Sequence, residues 1–148
     1  MKKEYLTTSL SFVLTLLAIL YLLFSSAVEA WTAEWEFCAK SGWGYYYYDP
    51  QSIKRVSKDT IQVWEKAVYT EKGVQDMVKD LGPKYIELSY TLQLCEFNCS
   101  EKKSRILSAT FYNNEGGIIG SFSYPTTWEF VVPESVDEHL FNIVCGSH

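Results

Sequence analysis

Polar and apolar residues alternate with a period of two over most of this chain, the signature of half-buried β-strands. Trp35, Phe37 and Ala39 alternate with Glu34, Glu36 and Cys38, which predicts a first strand ending before Ser41-Gly42. The run Tyr45, Tyr46, Tyr47 and Tyr48 predicts a short aromatic strand stopped by Asp49-Pro50. Over 60–70, Ile61, Val63, Glu65, Ala67 and Tyr69 fall on one face and Gln62, Trp64, Lys66, Val68 and Thr70 on the other, so a long strand covered in part on both sides is expected. Residues 84–98 alternate in the same way. Residues 104–112 and 118–124 flank Asn113-Asn114-Glu115-Gly116-Gly117, whose Asn and Gly tolerate positive φ, and together they predict a hairpin. Residues 128–132 read as one more strand.

The period changes twice. Val74, Met77, Val78 and Leu81 recur at helical spacing and Gly82-Pro83 stops them, which predicts a short amphipathic crossover helix. Near the C-terminus, Ser135-Val136-Asp137-Glu138 is a capping box, followed by an apolar stripe of Val136, Leu140, Ile143 and Val144 and by Gly146. Strands followed by a terminal helix predict an α+β domain, the helix laid on one face of a mostly antiparallel sheet.

The N-terminus breaks this pattern and sets the compartment. Met1-Lys2-Lys3 is a basic start, residues 6–28 carry no charge, and Val28-Glu29-Ala30 forms the small-residue pattern of a signal-peptidase site. Residues 1–30 are expected to be a signal peptide cleaved after Ala30, leaving 31–148 as a single domain. The competing reading is an uncleaved anchor, because about 20 apolar residues span a bilayer; membrane association is expected only through this segment. Cleavage is favoured because the apolar run ends in small residues and not in a basic flank. Export to the periplasm, the cell surface or the medium follows. The 148-residue chain is 47% apolar, 16% aromatic and 21% charged, an ordinary globular composition. Its net charge of −5 repels phosphate, so nucleic acid is not expected as a partner.

All four cysteines, Cys38, Cys95, Cys99 and Cys145, lie beyond residue 30, an even number in an oxidising compartment, so disulfides are the default reading. Spacing alone allows three connectivities. A metal site built from Cys95, Cys99, His139 and Cys145 is disfavoured, because His139 and Cys145 lack the usual ligand spacing; no metal and no cofactor is expected.

At this point the residues carry a resemblance. Tyr47-Tyr48-Asp49-Pro50-x-Ser52-Ile53-x-Arg55, Val63-Trp64, and Glu96-Phe97-Asn98-Cys99 followed by Arg105-Ile106-Leu107 stand in the order and spacing of a known pattern. Tyr112 with Gly116, then Trp128, Pro133-x-Ser135 and Cys145 complete it. Together they resemble the surface-adhesin protein E family over 35–145, nearly the whole exported part. The resemblance implies a small exported bacterial domain with an antiparallel sheet of about six strands and a C-terminal helix on its concave face. It also implies that Cys145 tethers this helix to the sheet through Cys99. Cys38 and Cys95 stand outside the common pattern, and their pairing follows by elimination. The family's founding activity is adhesion to host extracellular-matrix proteins. No motif here corresponds to a ligand-binding segment, so fold and tether carry over and the ligand stays open.

Several residues invite functional readings. Tyr45, Tyr46, Tyr47 and Tyr48 can form a stacking platform for sugar or peptide; alternation in a strand sends two of them inward, which is the blander reading. Lys102, Lys103 and Arg105, with Lys54, Arg55 and Lys58 as a second group, can grip an acidic polysaccharide, against the plain reading of solvated turn charge. Asn98-Cys99-Ser100 matches a glycosylation sequon that has no meaning around a bonded cysteine in a bacterial protein. The chain holds only two histidines, His139 and His148, no common catalytic signature, and carboxylate pairs such as Asp137-Glu138 that belong to a helix start. A non-enzyme is therefore expected.

Two functional classes fit. One is an adhesin-like binding module that recognises an envelope or extracellular protein or glycan through an aromatic sheet face or the sheet edge beside it. The other is an extracytoplasmic inhibitor of a cell-wall hydrolase, or an envelope-assembly factor; an inhibitor would present the 113–117 loop. A homodimer is compatible with either.

Overall fold

The computed structural model describes residues 33–146; the expected signal peptide and its cleavage after Ala30 lie outside the described residues. Eight strands form one antiparallel sheet: β1 (Glu36–Lys40), β2 (Gly44–Tyr48), β3 (Lys54–Arg55), β4 (Thr60–Tyr69), β5 (Leu88–Asn98), β6 (Lys103–Asn113), β7 (Ile118–Phe122) and β8 (Glu129–Phe130). Six of them run in the order β1-β2-β4-β5-β6-β7, while the two-residue strands β3 and β8 extend the sheet beside β4 and β6. Among the described residues two α-helices complete the fold, α1 (Glu71–Leu81) and α2 (Val136–Cys145).

The long strands form where period-two alternation is longest, and neighbours in sequence pair as neighbours in space. β4 alternates fully: Ile61, Val63, Glu65 and Ala67 are buried on one face, while the residues between them are half-buried on the other. Register carries this division across the sheet, since residues directly opposite in antiparallel strands share a face. Ile61 faces Phe97 and Val63 faces Cys95 on the helix side; Trp64 faces Leu94 and Val68 faces Tyr90 on the open side.

Two apolar clusters cover the helix side. In the first, Leu140 and Val144 of α2 lie on Ile61, Val63, Cys95 and Phe97, with Phe141 meeting Phe97 edge-on at 6.2 Å. In the second, Tyr85, Leu88, Ala109 and Phe111 pack with Val74, Met77 and Val78 of α1. The terminal helix is thus placed by the stripe its sequence predicts. Its capping box forms, with Ser135 Oγ accepting from the Glu138 amide at 3.1 Å. Glu138 reaches back to the amide of Glu134, one residue further than expected, at 2.7 Å. Helix α1 begins earlier than its apolar stripe, at the Thr70 cap, whose hydroxyl accepts from the Gly73 amide at 3.2 Å.

Cys99, just past the end of β5, bonds to Cys145 at the end of α2, with 5.6 Å between the Cα atoms, which tethers the terminal helix to the sheet. The second pairing, Cys38 with Cys95, is not formed: both are free thiols. β2 and β4 lie between their strands, which corresponds to about 14 Å across the sheet against the roughly 4.4–6.8 Å a disulfide needs.

Three local expectations change. Residues 83–87 form a 3₁₀ turn that takes up 84–87 of the expected strand, since the fixed φ of Pro83 suits the start of such a turn. The strand expected over 128–132 pairs only at Glu129–Phe130. In β1, a bulge between Phe37 and Ala39 breaks the alternation, so Ala39 is buried and Cys38 packs on the first cluster, while Phe37 is 58% exposed on the opposite face.

Candidate functional site

Both helices and the buried Tyr85 of the 3₁₀ turn occupy one side of the sheet. On the other side, no helix covers the strands among the described residues, and cross-strand register arranges its side chains in rows. One row runs Lys40–Tyr45–Val68–Tyr90–Tyr112–Ile118 across all six strands. The next runs Phe37–Tyr47–Lys66–Leu92–Thr110–Ser121. Beyond it Trp64 opposes Leu94. The rings make specific contacts: Phe37 meets Tyr47 edge-on at 5.8 Å, and Tyr90 stacks on Tyr112 at 4.8 Å. Lys40 lies over the Tyr45 ring at 5.1 Å, and Lys66 lies between Tyr90 at 4.9 Å and Trp35 at 5.8 Å. Such cation–π contacts hold each ammonium flat against the sheet, still hydrated on its outer side.

The four tyrosines of β2 divide between the two sides. Tyr45, 39% exposed, and the half-buried Tyr47 belong to the open side, while Tyr46 and Tyr48 face the helices. The expected inward pair does not reach the core. Tyr46 takes a 3.4 Å bond from Ser41, and Tyr48 donates to Glu36 at 2.8 Å from the margin of the first cluster.

The basic residues of the 102–105 turn do not converge. Arg105 bonds Glu96 at 2.7 Å and lies 4.3 Å from the Trp128 ring, and Glu96 also accepts from Gln62 at 2.8 Å. Lys103 pairs with Glu101 at 2.7 Å and covers Phe130, while Lys102 holds the left-handed turn position at φ 53°. These contacts are structural. In the second group, Arg55 donates to the Lys58 carbonyl at 2.7 Å and Lys54 sits on the short β3. Asn98 of the sequon caps the same turn, accepting from Ser100 Oγ and the Glu101 amide at 2.9 and 3.0 Å.

The helix side also holds a polar seam, buried at Glu65 and Ser104 and exposed at Asp137. Glu65 is 2% exposed; its carboxylate accepts from Gln93 at 2.8 Å, and burial, reinforced by Asp137 on the first turn of α2, pushes its acid up to about 8. Asp137 accepts from Ser104 at 2.7 Å, and a cleft of about 190 Å³ opens beside it, with Gln93 and Cys95 in its wall. Burial pushes the Cys38 thiol up to about 12 and the Cys95 thiol well above its ordinary value, so both remain protonated and poorly nucleophilic. His139 stands exposed on α2 at the rim of a second cavity, with Trp43, Tyr46 and Lys72. Among the described residues there is no cluster of three or more His, Cys, Asp or Glu side chains able to hold a metal.

Sequence patterning missed Lys40, Lys66, Tyr90 and Tyr112 as members of one surface, because only strand pairing brings them together. The signal for Glu65 was present, as a carboxylate in an otherwise apolar alternation.

With this geometry in view, comparison with known proteins places the chain. The family model for surface-adhesin protein E matches residues 35–146. The chain belongs to the surface-adhesin protein E family. Membership gives it an adhesin-like character and an exported or cell-surface location. No helix among the described residues is long and apolar enough to cross a membrane. Three structures of Haemophilus influenzae protein E are similar. Its crystal form II is 16% identical and covers 73% of this chain and 90% of that one, with a TM-score of 0.44. The selenomethionine form is 14% identical, covering 79% and 94% at 0.45, and a third structure is 15% identical, covering 73% and 86% at 0.45. No curated protein matches the chain.

Proposed function

We propose that this chain is a non-enzymatic adhesin-like module that recognises an extracellular or envelope macromolecule through the open face of its sheet. One observation carries the reading: five strands present Phe37, Tyr45, Tyr47, Trp64, Tyr90 and Tyr112 on a side that neither helix covers. Aromatic side chains bury large area with little loss of rotamer freedom, which is why they anchor interfaces. A one-layer sheet closed on its other side by two helices and a disulfide holds those rings in fixed register, which lowers the entropy cost of binding. Binding without turnover is consistent with the two protonated thiols, Cys95 buried and Cys38 half-buried, and with His139 on an exposed helical face.

The test is the double variant Tyr45→Ala/Tyr47→Ala, measured for retention on surfaces coated with extracellular-matrix proteins and with the producing cell's envelope fraction. Loss of retention at an unchanged melting temperature supports the reading. Full retention, or hydrolysis of a cell-wall substrate by the purified protein, overturns it.

The β6–β7 loop supports a second reading, as an inhibitor of an envelope hydrolase. Asn113 Oδ1 accepts from the amides of Glu115 and Gly117 at 3.1 and 2.6 Å, which makes an exposed tip rigid enough to enter a cleft. Inhibition of a muramidase by the parent, abolished by Asn113→Ala, would favour it.

A further inference from the structure

The open face is cationic although the protein is acidic. The net charge is −5, yet the strand positions on that side offer a single carboxylate, Glu96, and it is already held by Arg105 and Gln62. Lys40 and Lys66 have no carboxylate partner among the described residues; each rests on tyrosine rings. They stand on adjacent rows two strands apart, about 12 Å between backbones at ordinary strand spacing. Trp35, Tyr45, Tyr47 and Tyr90 surround and separate them. The Gln93–Asp137 cleft and the cavity between Val74 and Leu88 open on the helix side or its margins, and the cavity by Trp43 and His139 reaches the edge of the open face at Lys40. Lys66, Tyr45, Tyr47 and Tyr90 line none of these three cavities, so none of the three seats a protein partner's anchoring side chain among those rings.

A flat surface that alternates tyrosine rings with unpaired ammonium groups suits a chain that is itself alternately apolar and anionic. The C–H faces of a sugar ring lie flat on an aromatic ring, its hydroxyls bond phenol oxygens, and acid groups at intervals along the chain meet the lysines. We infer that the open face, with Lys40 and Lys66 as its charged contacts and Tyr45, Tyr47 and Tyr90 as its stacking surface, binds an acidic polysaccharide. This rests on the proposed use of that face and adds the chemical class of the ligand. In the 102–105 turn, Lys103 and Arg105 are already held by Glu101, Glu96 and two aromatic rings, which leaves Lys102 as a single cation without the array of rings that the open face offers.

Titration calorimetry of the full chain with polygalacturonate, heparin and neutral dextran tests this. Polygalacturonate, heparin or both should bind with an affinity that weakens as salt rises, and dextran should not bind. Lys40→Gln/Lys66→Gln should weaken binding by about tenfold or more, while Lys102→Gln leaves it unchanged. An acid group on carboxylated chains alone is indicated if only polygalacturonate binds, a sulfated one if only heparin does. Equal binding of dextran, or a loss produced by Lys102→Gln and not by the double variant, overturns the inference. Should the parent bind neither polyanion while Tyr45→Ala/Tyr47→Ala still loses retention on matrix or envelope surfaces, the ligand class falls and the use of the face stands. Should that tyrosine variant instead convert a dimer to a monomer with no polyanion bound by either form, the face is a contact between copies and both readings fall.

Discussion

The carbonyl of Trp43 occupies the space that a Cβ on Gly73 would need. That carbonyl also accepts from the Thr70 amide at 2.9 Å and from the Thr70 hydroxyl at 3.0 Å, and the hydroxyl reaches the Gly42 carbonyl at 3.0 Å as well, so the β1–β2 turn is fastened to the cap of α1. The contact is backbone against backbone, which leaves no flexible side chain to give way.

Gly73→Ala should therefore destabilise the fold, although alanine is the better helix former by about 1 kcal/mol. The clash should exceed that gain and leave a net loss of about 1–3 kcal/mol, as overpacking does elsewhere. A denaturant midpoint that rises in this variant would show that the turn is free to move away.

Glu65 predicts a pH dependence with a definite sign. Its acid is raised from 4.5 to about 8, by burial first and by Asp137 second, so the folded chain keeps a proton that the unfolded chain releases near pH 4.5. The contribution to stability is complete below 4.5 and is lost as pH rises towards 8, by about 5 kcal/mol at most over that window. Glu65→Gln keeps an acceptor for Gln93 and removes the titration. It should flatten the stability profile between pH 5 and pH 8 and stabilise the protein at the alkaline end. A parent whose unfolding free energy rises across that window would contradict this assignment of the proton.

Where the sequence was legible, the interactions are local. The terminal helix, its Ser135 cap, the 104–124 hairpin and the Val74, Met77 and Val78 stripe of α1 depend on residues within a few positions of each other and formed where expected, while Leu81, the last member of that stripe, is 47% exposed. The bulge at Cys38 is different, because two residues opposing one is a property of the β1–β2 pair and not of β1 alone. It turned Phe37 outward against its own alternation. The same limit hid the open face: Lys66 and Tyr47 are neighbours only through register, and nothing within either segment announces the other. The pairing of Cys38 with Cys95 failed for the same reason, since elimination counts cysteines and cannot see the two strands between them.

Those two thiols give a direct chemical prediction. Cys95 is buried and Cys38 half-buried, and both are held protonated, so alkylation of the native protein at pH 8 should be slow at Cys38 and slower at Cys95. Unfolding without reductant should release both to rapid alkylation and leave Cys99 and Cys145 protected. Peptide mapping that recovers a Cys38–Cys95 disulfide from the exported protein would overturn the assignment.

The tether of α2 carries the last prediction. A helix of ten residues is marginal in water, and its order must come from Leu140 and Val144 on the sheet and from Cys145 bonded to Cys99. The bond closes a loop of 46 residues, for which the chain-entropy model gives about 4 kcal/mol. Cys145→Ser should lose most of that, and the loss should begin in α2, because the strands keep their ladders when the helix lifts while the helix has no other covalent hold. Hydrogen exchange should accordingly speed up at the amides of 138–146 before those of β4 and β5. Ser135→Ala, which removes a single cap bond from the same helix, should cost only about 1 kcal/mol and leave the tether to hold its C-terminal end. If the α2 amides of Cys145→Ser exchange as slowly as those of the parent, packing alone orders the helix and the disulfide has some other use.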